Sequence, residues 1–98
     1  MKFTVILEPE LDGGYSVICA ALPGCASQGD SLEEAMENIR EAMVGWLEVN
    51  RKRGFPEPVE TPEVIAREIE ECLQDRVEEG LPLTIETREV EVEAEVAA

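Results

Sequence analysis

The sequence has no histidine among its 98 residues. That removes Ser-His and Cys-His nucleophile pairs, imidazole metal ligands and the usual acid–base catalyst near neutral pH. Basic residues are scarce, with 8 Lys and Arg against 23 Asp and Glu, a formal net charge of −15. A chain this acidic is repelled by phosphate backbones, so direct nucleic-acid binding is not expected and a basic partner is favoured. No apolar run approaches the ~20 residues of a membrane span. The start, Met1 to Val5, lacks the basic and apolar regions of a signal peptide. Cys19, Cys25 and Cys72 are odd in number and without CxxC spacing. They read as small buried thiols in a reducing cytoplasm, not as a disulfide framework or a zinc site. Cofactors, metals and catalytic residues are expected to be absent. Lys, Asn and Gln are few beside abundant Glu and Arg, a pattern that suits ion-pair networks in a thermophile.

What is present divides at about residue 58. Residues 1–56 hold nine acids and five bases, and residues 57–98 hold fourteen acids and three bases. The expected organisation is one domain, 1–98, with a β-β-β-α core over 1–58 and an acidic helix and strand over 59–98. Lys2 to Glu8 alternates, with Phe3, Val5 and Leu7 on one face and Thr4, Ile6 and Glu8 on the other. Asp12-Gly13-Gly14 signals a hairpin, and Tyr15 to Ala21 forms the returning strand, with Tyr15, Val17 and Cys19 opposite Ile18 and Ala20. Both strands are apolar on both faces, so one face takes a helix and the other needs the second half of the chain or another copy. Leu22-Pro23-Gly24 ends the strand, and Ala26 to Gly29 forms a short one.

Ser31-Leu32-Glu33-Glu34 has capping-box spacing, predicting reciprocal bonds between Ser31 and Glu34 at a helix start. Leu32, Ala35, Met36, Ile39, Met43, Trp46 and Leu47 make that helix's apolar stripe. Asn38 sits mid-helix, where Asn is a poor former, and is placed to bond a nearby loop or face solvent. Arg51-Lys52-Arg53-Gly54 suits the helix end. Thr61-Pro62 opens a second helix with a stripe of Ile65, Ile69, Cys72, Leu73 and Val77, stopped by Gly80. Leu83 to Val96 alternates as a long final strand. Its apolar phase flips from Leu83, Ile85 and Thr87 to Val90, Val92, Ala94 and Val96, which predicts a bulge or break between Thr87 and Val90. Glu89, Glu91, Glu93 and Glu95 form a carboxylate row on the other side.

Gly14-Tyr15-Ser16-Val17, then Leu22-Pro23-Gly24-Cys25-Ala26-Ser27-Gln28-Gly29-Asp30-Ser31-Leu32-Glu33-Glu34-Ala35-Met36-Glu37-Asn38-Ile39, resembles the HicB-type antitoxins and the small uncharacterised proteins grouped with them. Gly54-Phe55-Pro56-Glu57-Pro58 is similar to the family's closing Gly…Pro-x-Pro. The resemblance covers residues 1–58. It implies a partial ribonuclease-H-like α+β fold of three antiparallel strands, a helix and a further strand. It also implies a non-catalytic antitoxin that neutralises a small basic, mRNA-cleaving, HicA-like toxin by protein–protein contact. Many such proteins add a basic DNA-binding domain, and residues 59–98 show no basic recognition helix.

Each motif also has a bland reading. Tyr15, Pro23, Gly24, Cys25, Gly29, Asp30, Ser31, Glu34, Ala35, Asn38, Pro56 and Pro58 are read as structural, because turn and cap chemistry explains their types. Glu8, Glu10, Asp12 and Asp30 surround a hairpin, where solvated charge outweighs a metal-nuclease reading. Arg51-Lys52-Arg53 complements a helix dipole. Partner contact is expected at Glu86, Glu89, Glu91 and Glu93, with Trp46 as a core residue or interface anchor. A small two-faced sheet with open edges predicts a homodimer or larger homo-oligomer, and a solitary self-assembling module is the alternative to an antitoxin.

Overall fold

The computed structural model describes residues 1–93. The elements are β1 (Lys2–Pro9), β2 (Tyr15–Cys19), β3 (Ala26–Gly29), α1 (Leu32–Lys52), α2 (Pro62–Glu79) and β4 (Glu86–Glu91). The strands form one sheet in the order β3-β2-β1-β4, each neighbouring pair antiparallel. This is the α+β class that the alternation and the two helical stripes predict.

The two apolar faces of β1 and β2 have two different occupants. Phe3, Val5, Leu7, Val17 and Cys19 meet Ala35, Ile39, Met43 and Leu47 of α1. Ile6 and Ala20 meet Cys72 of α2, joined by half-buried Ile18, Ile65, Ile69 and Ile85. The sheet is therefore the middle of three layers, and the second half of the chain covers the second face. Ile6, with no exposed surface, is the centre of this smaller cluster, whose flanking isoleucines stay half-buried. Burial of such a side chain contributes about 2–3 kcal/mol.

The helix boundaries follow the expected chemistry. Ser31 Oγ accepts the Glu34 N–H at 3.1 Å. The reciprocal bond from the Glu34 side chain is not made among the described residues, so the capping box is half formed. Thr61 Oγ1 accepts the Val64 N–H at 3.2 Å, with Pro62 opening α2. Gly80, at φ 70°, closes α2 in the left-handed conformation, and the Leu81 N–H returns to the Arg76 carbonyl at 2.9 Å.

Three expectations are corrected. First, β4 carries no bulge: its register against β1 runs without interruption from Leu7↔Glu86 to Lys2↔Glu91. The phase flip has another cause. Ile85 serves the α2 face and Val90 and Val92 serve the α1 face, so a regular chain feeds both cores. Second, the strand is shorter than Leu83–Val96: Leu83 is exposed and outside it, and residues 94–96 lie outside the described residues. β2 likewise ends at Cys19 rather than Ala21. Third, the α2 stripe ends on Arg76, 3% exposed, while Val77 is 62% exposed. Residues 65, 69, 72 and 76 follow helical spacing, and Val77 turns to solvent.

Candidate partner-binding surface

The charged rows are built by register. Glu89 lies opposite Thr4 and Glu91 opposite Lys2, so both share the α2 face of the sheet with exposed side chains. Exposed Glu93 follows. Glu86 lies opposite Leu7 and faces the other way, pairing with Arg88 at 3.0 Å. Trp46 belongs to the α1 face. It packs half-buried on the main core, and its indole N–H donates to the Pro23 carbonyl at 2.9 Å. The structure thus brings Glu89 and Glu91 together and separates Glu86 and Trp46 from them.

The motif residues converge on the packing of α1. Gly29 touches the first turn of α1 so closely that a Cβ there would lie 2.3 Å from the Ala35 nitrogen, and Ala35 is fully buried. Cys25 closes the Leu22-Pro23-Gly24 turn, its N–H donating to the Leu22 carbonyl at 2.9 Å. Asn38 Nδ2 donates to the Gln28 carbonyl of β3 at 2.8 Å. Asn50 Nδ2 donates to the Pro56 carbonyl at 3.0 Å, and Arg51 grips Glu57 at 2.7 Å beside half-buried Pro58. Tyr15, Asp30 and Glu34, with Glu10, Asp12 and Asn38, edge a polar recess of about 270 Å³ at the hairpin end. Among the described residues no three Cys, Asp or Glu side chains converge to hold a metal ion.

The thiols are held protonated. Burial pushes Cys19 up to about 12, with neighbouring Cys25 adding to the shift. Burial likewise pushes Cys72 to about 11 and raises Cys25.

Sequence reasoning missed three tethers. Arg76 donates to the Pro9 carbonyl at 3.4 Å and to the Pro82 carbonyl, and pairs with Glu8 at 3.5 Å. Its place on the α2 stripe was the available signal. Glu60 accepts the Thr4 N–H at 2.5 Å and the Thr4 hydroxyl at 3.0 Å, fixing the connector to β1. Arg40 donates to the Glu91 carbonyl. The last two leave no local trace in the sequence.

Sheet, helices and charged edge together define a small three-layer α+β domain with an acidic rim. The chain belongs to the HicB-like antitoxin family of bacterial toxin–antitoxin systems, whose family model matches residues 3–77. The match runs 19 residues past Pro58 and takes in most of α2. A UPF0150 protein of Synechocystis sp. is 55% identical over 47 residues, covering 48% of this chain and 60% of that protein. The N-terminal domain of the Burkholderia pseudomallei antitoxin HicB superimposes with a TM-score of 0.67 at 25% identity, over 95% of this chain and 99% of that one. A chain of a structure described as the HicA3 and HicB3 toxin–antitoxin complex shares the fold. Its TM-score is 0.62 at 22% identity, over 95% of this chain and 99% of that one. Among the described residues no helix is long and apolar enough to cross a membrane.

Proposed function

We propose that this chain is an antitoxin that neutralises a small basic, RNA-cleaving toxin of the HicA type by protein–protein contact. The family match over residues 3–77 carries the reading. The acid excess and the exposed Glu89 and Glu91 support it, because opposite charge speeds encounter and fixes orientation. In this reading the protein is a non-catalytic, cytoplasmic single domain spanning residues 1–98, it does not bind nucleic acid itself, and it forms a homodimer or larger assembly. Glu89, Glu91 and Glu93 contact the partner.

The test is co-expression with any small basic protein encoded beside it, followed by affinity capture and an RNA-cleavage assay. A complex that weakens as salt rises, and RNA cleavage suppressed by stoichiometric addition, are the expected results. Absence of a complex at low salt would sink the reading. Light scattering at micromolar concentration checks the assembly, and a monomeric mass counts against it.

A further inference from the structure

Both edges of a sheet offer unpaired backbone groups, and on each edge here a side chain of α1 takes one outward carbonyl. On β3 the side facing away from β2 is identified by alternation. The Cys19 N–H donates to the Cys25 carbonyl at 3.0 Å, so Cys25 faces β2, and residues 26 and 28 turn outward. The outward Gln28 carbonyl is the one Asn38 occupies. On β4, Val92 and Met1 exchange bonds of 2.8 and 3.0 Å, so Val92, Val90, Arg88 and Glu86 face β1. Thr87, Glu89 and Glu91 therefore turn their backbone groups outward. Arg40 takes the Glu91 carbonyl. The Thr87 and Glu89 N–H and carbonyl groups have no hydrogen-bond partner among the described residues.

Outward-turned residues of a strand also share one face for their side chains. Glu89 and Glu91 stand on the α2 face at the positions that an added strand would pair with directly. Glutamates on an edge deter an acidic or a second identical strand, and they select a cationic one.

We infer that the β4 edge at Thr87–Glu89 accepts a fifth strand from a basic partner, an extended segment with Lys or Arg at alternate positions. The partner's backbone bonds Thr87 and Glu89, and its cations meet Glu89 and Glu91. The inference rests on the antitoxin reading for the partner's basic character and adds how that partner is held.

The probe is a synthetic peptide alternating lysine with valine, beside a control of the same composition with its lysines contiguous. Amide exchange is followed by NMR on the intact chain. The alternating peptide should slow exchange of the Thr87 and Glu89 amides about tenfold and bind more tightly than the control. Glu89→Pro removes an outward N–H and leaves the β1 pairing intact, since proline is tolerated at such edge positions. It should bind about tenfold more weakly than Glu89→Gln, which removes only the charge. Strand addition is overturned by any of four outcomes: no binding, binding without protection of those amides, equal affinity of the two variants, or protection that rises with protein concentration without peptide. Capture of a basic, HicA-like protein without protection at Thr87 and Glu89 leaves the antitoxin reading standing and removes the edge. Protection by peptide with no captured protein does the reverse.

Discussion

Arg76 is the residue on which two regions depend. The residue is 3% exposed, and its guanidinium serves the Glu8 carboxylate and the Pro9 and Pro82 carbonyls, tying the end of α2 to the end of β1. Arg76→Leu keeps the apolar stem but strands two carbonyls and a carboxylate. A loss of about 2–4 kcal/mol is expected, read as a lower urea midpoint with an unchanged slope. The cysteines make the opposite case. With Cys19 and Cys72 pushed to about 12 and 11, almost no thiolate forms near neutral pH, and thiolate is the reactive species. Iodoacetamide at pH 8 should therefore label the three thiols slowly in the folded protein and fast in urea, as mass spectrometry would record. Rapid labelling of Cys19 in the folded state would contradict its burial.

Among the elements, α1 does most to define the sheet. It covers one face through Ala35, Ile39, Met43 and Leu47 and reaches both edges, through Asn38 to Gln28 and Arg40 to Glu91. Asn38→Ala should cost about 1 kcal/mol in urea unfolding and free the Gln28 carbonyl on the β3 edge, raising the association detected by light scattering. Much of this layering was legible in the sequence. Period-two alternation in Phe3–Leu7 and Tyr15–Cys19 placed the side chains on their correct faces, and the Ser31, Thr61 and Gly80 punctuation placed the helix ends. β4 was misread because its apolar phase was referred to one core, whereas Ile85 and Val90 answer to two. Arg76 falls on the stripe by spacing, but a pattern built from apolar residues does not register it. A backbone bond was one of two readings of Asn38, but its acceptor was not legible, since the bond joins residues ten apart on different elements. Of the candidate contact residues, adjacency of Glu89 and Glu91 was readable from alternation. The separation of Glu86 and Trp46 from them depends on sheet order and helix placement, which local pattern does not contain.

At the scale of the molecule, a net charge of −15 sits on a body of 47 × 28 × 19 Å. Self-repulsion of that size opposes the folded state and is screened within about 8 Å at physiological salt. The thermal midpoint should rise between low salt and ~0.15 M, followed by circular dichroism. The same salt should weaken capture of a basic partner, so stability and binding move in opposite directions, a pairing that purely hydrophobic association would not give. The glutamate row on β4 has a consequence for polymerisation. Fibrils and runaway strand exchange need two growing ends, because each newcomer must offer a fresh template to the next. Here a second copy arriving edge to edge brings its own Glu89 and Glu91 against the same residues of β4, so like charge opposes growth on that side. At the high concentrations that favour condensation, that repulsion stands against the pairing of two such edges.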